Sequence, residues 1–132
     1  MVQAGDIANP DFIVRSFQVN SNQSIERGDV IVVVDGKAKK ATENDNGPFA
    51  IAIDSISGDS ARHIRACISG LVYVIAGGNI KPFRPVKVGL DGRVVEDQGS
   101  DLSKRVGIYI GKENEYLVGD AQNGEVILIK LG

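Results

Sequence analysis

Arg27-Gly-Asp-Val-Ile-Val-Val-Val-Asp-Gly-Lys-Ala-Lys-Lys40 is an apolar run closed by an Asp-Gly pair and answered by a basic run. Val30 to Val34 is β-branched throughout and short, which fits a strand buried on both sides or lining a closed barrel. Asp35-Gly36 tolerates positive φ at both positions and is the strongest short hairpin signal in the chain. In the return strand Lys37 and Lys39 share one face, because strand side chains alternate, and that face reads as solvated. Phe49-Ala-Ile-Ala-Ile53 and Ile64-Arg-Ala-Cys-Ile68 supply two further strands.

The same plan recurs in Arg84-Pro-Val-Lys-Val-Gly-Leu-Asp-Gly-Arg-Val-Val-Glu96, whose Asp91-Gly92 follows Asp35-Gly36 by 56 residues. Val106-Gly-Ile-Tyr-Ile110, a short strand at Tyr116-Leu-Val118 and a final strand over Val126 to Leu131 complete the second copy. Ile64 to Ile75 is the longest strand candidate, with Ser69-Gly70 marking a bulge or bend. Ile80-Lys-Pro-Phe-Arg-Pro85 joins the copies, its prolines setting extended or edge geometry. The prediction is an all-β domain over 25–132, a small pseudo-two-fold β-barrel or β-tulip of two hairpin-plus-strand units. No catalytic group recurs in both copies, which directs attention to a surface.

Residues 1–24 differ. Asn9-Pro10 and Asn20-Ser-Asn-Gln-Ser24 are turn or linker chemistry around the alternation Phe12-Ile-Val-Arg-Ser-Phe-Gln-Val19. Two readings stand side by side: an extended N-terminal arm reaching a neighbouring subunit, or the first strand of the same barrel. Fully extended, such an arm spans on the order of 80 Å.

The chain has 132 residues, one domain by length, and buries roughly two thirds of its unfolded surface. A single cysteine excludes an intramolecular disulfide, so a secreted disulfide scaffold is ruled out. Met1-Val-Gln-Ala-Gly-Asp6 lacks a basic and an apolar signal region, and no run approaches the roughly 18 apolar residues of a membrane span, so the expectation is a soluble chain with no export signal and no membrane partner. Fifteen basic against seventeen acidic residues, net charge −2, argue against general attraction to nucleic acid.

Chemistry-bearing residues are sparse. His63 and Cys67, four apart on a strand, lie roughly 13 Å from each other and cannot hydrogen-bond directly. Ser60 sits in the polar stretch Gly58-Asp-Ser60 without a strand-to-helix elbow, so a turn accounts for it. One His, one Cys and scattered carboxylates give no metal-ligand spacing, and the oxygens of Glu43-Asn-Asp-Asn46 are also what loops prefer. Arg27-Gly-Asp29 matches an adhesion tripeptide and reads as a turn launching the Val30 strand. Glycines never open a predicted helix, so no nucleotide-binding pattern is present. No catalytic residue, metal or cofactor is expected. Lys37, Lys39, Lys40, Arg62 and Arg65 would form the most basic patch if the hairpin lies beside the Ile64 strand; otherwise they are separately solvated. Lacking aromatic stacking partners, such a patch would suit an acidic protein surface better than single-stranded nucleic acid.

The order of elements resembles the small capsid decoration, or cement, proteins of tailed viruses of bacteria and archaea, including a family designated only as a domain of unknown function. The resemblance rests on Arg27-Gly-Asp-Val-Ile-Val-Val34 with its Asp-Gly return, on Phe49-Ala-Ile-Ala-Ile53 followed by a strand ending Ile68-Ser-Gly70, and on Pro85-Val-Lys-Val-Gly-Leu-Asp-Gly-Arg93 with Val106-Gly-Ile-Tyr-Ile110. It covers about residues 25–132. It implies a non-enzymatic barrel or tulip, made in the host cytoplasm, that forms a homotrimer on the outer capsid surface at three-fold and quasi-three-fold sites. There it clamps neighbouring major capsid proteins, with an N-terminal segment supplying subunit or shell contacts; here Phe12, Ile13, Val14, Phe17 and Val19 are the natural candidates.

Competing readings are a small-ligand or glycan-binding β-barrel, disfavoured because aromatics are scarce, and a β-rich accessory domain of an enzyme, resembling small antifreeze-like modules that begin with a similar Gly-Asp-Val phrase. A hydrolase built on Ser60 and His63 is more distant.

Overall fold

The alternating and continuous apolar runs become nine strands in the computed structural model, which describes residues 2–6, 13–19, 23–57, 63–113 and 117–131. They are β1 (Ile13–Val19), β2 (Val30–Val34), β3 (Lys37–Lys40), β4 (Phe49–Ala52), β5 (His63–Ile75), β6 (Pro85–Val88), β7 (Val94–Glu96), β8 (Arg105–Gly111) and β9 (Val126–Leu131). Single 3₁₀ turns occupy Leu90–Gly92 and Leu102–Lys104, and there is no α-helix among the described residues. The all-β expectation holds. The expected short strand at 116–118 does not form at Leu117 and Val118, and Tyr116 lies outside the described residues.

The strands form one sheet in the order β1-β3-β2-β4-β5-β9-β8-β6-β7. Its first half curls round, because β1 pairs parallel with β3 through Gln18 and Val19 and antiparallel with β5 from Ile13 to Gln18. Five strands thereby make a circuit of pairings. Among the described residues the other half is tied back by a parallel bridge between Ala76 and Val94, so the sheet is partly ringed.

Both Asp-Gly pairs adopt the expected backbone, with φ of 53° and 80° at Asp35 and Gly36 and 55° and 72° at Asp91 and Gly92. The connections differ in length. Val34 pairs directly with Lys37, giving a two-residue hairpin. In the second, Val88 pairs with Val94, and the Arg93 N–H closes a 3₁₀ turn on Leu90 O.

Strand β5 belongs to both halves. Its first part pairs with β1 and β4, and its second part, Gly70–Ile75, pairs with β9. Two buried clusters result. The larger joins Val30, Val32, Phe49, Ile51 and Cys67 to Val72, Val74, Val86, Val88, Tyr109, Ile127 and Ile129. The smaller gathers Val19, Ile25, Ile31, Ala38, Ala50, Ala52, Ile64 and Ala66, with Phe17 packed on it. The alternation of β2 explains the split, since Val30 and Val32 face one cluster and Ile31 the other.

The start of the chain is packed as well. The Gly5 N–H donates to Tyr73 O at 2.7 Å and the Tyr73 N–H donates to Asp6 O at 2.9 Å. Ala4 is buried against Gly28, where φ is +94° and a side-chain Cβ would overlap Ala4 Cβ; that site accepts only glycine.

Candidate functional site

His63 is exposed at the start of β5, whereas Cys67 is buried and pairs across the ladder with Val14 and Ile51. The Cys67 thiol lies 3.1 Å from Ser69 O, and burial pushes its pKa up, against thiolate formation. Ser60 lies outside the described residues. No group of three or more His, Cys, Asp or Glu side chains positioned for a metal occurs among the described residues.

In the loop after β3, the Thr42 N–H donates to Asp45 Oδ2 at 2.8 Å, and Lys39 Nζ stands 3.2 Å from Asp45 Oδ1. Partial burial opposes ionisation of Asp45, but the Thr42 N–H and the Lys39 ammonium hold its carboxyl below the ordinary range. Lys104 Nζ donates to the carbonyls of Glu43 and Asp45 at 3.4 and 3.3 Å. Two ammonium groups thus meet the oxygens that a hard cation would need.

Arg27-Gly28-Asp29 is occupied structurally. Arg27 pairs with Asp6 and Gly28 packs on Ala4. Asp29, 8% exposed, accepts the Glu26 N–H at 2.9 Å and pairs with Lys40 at 3.2 Å. Burial raises the Asp29 pKa despite these two partners.

The basic residues singled out from the sequence are placed as follows. Lys37 pairs with Gln18 and Val34 at the turn end of the hairpin. Lys39 meets Asp45, Lys40 meets Asp29, and Arg65 forms a two-pronged contact with Asp54 at 2.9 and 2.8 Å. Hydrogen bonding from Arg65 holds the Asp54 carboxyl low. Three cations therefore carry carboxylate partners, and the positive potential there is largely cancelled. Arg62 lies outside the described residues.

Of the candidate contact residues near the N-terminus, Val19 is buried, Val14 and Phe17 are half-buried and Ile13 is 55% exposed, all on β1. Phe12 lies outside the described residues.

The most exposed large apolar residues were not singled out from the sequence. Phe83 is 64% exposed and holds φ at 61°, a conformation bulky residues rarely adopt. Its N–H donates to Tyr109 O, and the Tyr109 N–H donates back to Arg84 O, which fixes the turn against β8. An aromatic between two prolines in Lys81-Pro-Phe-Arg-Pro85 was the available signal. Leu90 and Leu102 stand on the two 3₁₀ turns, and Val33 and Val34 lie beside the hairpin tip. Such groups can supply contact area to a partner.

No family profile matches the sequence, and no curated protein sequence matches it. Among solved structures the chain is similar to the head fiber gp8.5 N base in bacteriophage phi29, with a TM-score of 0.63 and 18% identity over 91% of this chain and 95% of that chain. At that identity the likeness is one of fold.

Proposed function

We propose that this chain is a structural protein of a tailed-virus particle: a decoration protein that sits on the outer capsid surface. It assembles as a homotrimer at three-fold and quasi-three-fold sites, clamps adjacent major capsid proteins and performs no catalysis. The observation that carries this reading is the likeness to a head fiber base across nearly the whole of both chains. Its support is physical as well. The Cys67 thiol is buried with a raised pKa and Lys39, Lys40 and Arg65 carry carboxylate partners, while apolar side chains stand exposed on turns and beside a hairpin tip. Trimeric attachment would offset weak individual contacts.

The reading includes a chain built as two copies of one five-stranded plan that share β5. Matching hydrogen bonds in the two halves support it. Ile25 and Ile56 exchange both N–H donors, as do Ile80 and Ala121, and the Ala41 N–H donates to Val30 O as the Asp97 N–H does to Pro85 O.

The test is co-sedimentation of the purified protein with shells assembled from the major capsid protein of the same virus. Saturable binding at a fixed ratio to capsid subunits is expected. Absence of binding to intact, expanded shells would overturn the reading.

A further inference from the structure

Lysine–carboxylate pairs in this chain differ in what surrounds the carboxylate. Lys39 meets Asp45, Lys112 meets Glu125 and Lys40 meets Asp29, at 3.2, 3.3 and 3.2 Å. Asp45 lies in the loop after β3, where the Thr42 N–H and Lys39 favour its ionised form. The Glu125 side chain is 38% exposed. Of the three carboxylates Asp29 alone is buried, and burial pushes its carboxyl toward the neutral form.

The hairpin ladder holds this pair in place. Lys40 stands opposite Ile31, and Asp29 precedes Ile31 by two residues, so the two side chains are diagonal neighbours on one face. The Ala41 N–H donates to Val30 O at 2.9 Å and the Asp29 N–H to Glu26 O at 3.0 Å, which pins the backbone on both sides. The Glu26 N–H holds Asp29 Oδ2, and the turn at Gly92 closes over the carboxyl, where a Cβ would lie 2.8 Å from Asp29 Cγ. A cavity of about 310 Å³ opens beside the pair, with Glu26, Asp91 and Arg93 on its charged rim.

We propose that Lys40 and Asp29 condense into an intramolecular amide bond that closes the base of the β2–β3 hairpin covalently, with Glu26 as the proton carrier. Proton transfer within the ion pair gives amine and carboxylic acid, the neutral forms that burial favours. The Nζ lone pair attacks Cγ and the Nζ–Cγ bond forms. One carboxyl oxygen then leaves as water into the cavity with the acid proton and one amine proton, the latter passed on by the Glu26 carboxylate. Ammonium and carboxylate thus become amide and water, and no oxidant, reductant or further reactant enters. Fixing amine and carboxyl in one geometry supplies effective molarities of about 10⁵–10⁸ M in well-oriented intramolecular reactions, which offsets the excess of bulk water. The Lys40 side chain is 32% exposed, so the ionised pair predominates and condensation is slow. Freshly prepared chain carries the ion pair, and the ageing chain acquires the amide.

The experiment is intact-mass spectrometry of the full chain, fresh and through several weeks of incubation near neutral pH, beside Lys40→Arg and Glu26→Gln. Circular dichroism should show all three folded, since arginine keeps a cation opposite Asp29 and Glu26 is exposed. The unaltered chain is expected to lose the mass of one water, and its tryptic digest to contain a peptide with Asp29 joined to one with Lys40. Lys40→Arg is expected to keep its full mass throughout, and Glu26→Gln to lose water at least about tenfold more slowly. An unchanged mass at the end of the incubation would overturn the bond. So would a water loss that persists in Lys40→Arg, which would mark ring closure at Asp35-Gly36 or Asp91-Gly92 instead. Glu26→Gln reacting at the unaltered rate would overturn the role of Glu26 and leave the bond in place.

Discussion

Val19→Ala tests whether β1 is a working strand of the sheet. Val19 is 2% exposed in the smaller buried cluster, at the point where β1 pairs with Ala38 of β3. The substitution removes two buried methyl groups, about 1.6 kcal/mol of transfer free energy at about 0.8 each. A residual cavity of about 20–40 Å³ adds about 0.5–1 kcal/mol. The total is about 2–2.5 kcal/mol. With a urea m-value of about 1.5 kcal/mol/M, the unfolding midpoint should fall by about 1.3–1.7 M with m unchanged. Circular dichroism reads the transition, since the chain has no tryptophan. Ile13→Ala is the internal control: Ile13 is 55% exposed on the same strand, so its loss should cost about 1 kcal/mol or less. If both midpoints moved by less than about 0.3 M, residues 13–19 would not be holding the fold, and the burial argument for Val19 would be refuted.

Gly107→Ala would place a Cβ over the Lys130 carbonyl oxygen of the neighbouring strand, forcing β8 from β9; a loss of about 1–3 kcal/mol is expected in the same denaturation assay, and an unchanged midpoint would contradict the close approach. Tyr109→Phe removes the hydroxyl that donates to Gly119 O at 2.7 Å from a fully buried ring, which should cost about 1 kcal/mol and speed amide exchange in the segment after β8. Asp29 has a folded pKa raised by burial, so its contribution is most favourable at low pH and declines as pH rises through that value. Relative to Asp29→Asn, the unaltered chain should therefore lose stability between pH 4 and pH 7. A difference that instead grew with pH would mean that the Lys40 pair outweighs burial.

How far the sequence could be read depended on whether the cause was local. Val30–Val34, Asp35-Gly36 and Val126–Leu131 are governed by residue type and period, and each formed as read. The second Asp-Gly pair kept its positive φ values and its hairpin but not a two-residue loop, because loop length is set by where β7 pairs on β6. β1 was open to two readings because its partners lie in β3 and β5, a matter of register that alternation alone does not fix. The basic patch was legible as a row of cations but not as ion pairs: Asp45 reaches Lys39 through the loop after β3, and Asp54 reaches Arg65 through the turn after β4. Phe83 was passed over as part of a linker, since the hydrogen bonds that hold its turn come from Tyr109, far along the chain.

The division of β5 between two sets of partners has a kinetic consequence. The first circuit needs nothing beyond Ser69, so it can close while the rest of the chain is still being synthesised; the second waits for β9 at the far end. Until then the C-terminal half of β5 holds out an unpaired edge, Gly70 to Ile75, to any neighbouring nascent chain. Where many copies are made at once, the interval between emergence of β5 and arrival of β9 is when this chain is most exposed to aggregation.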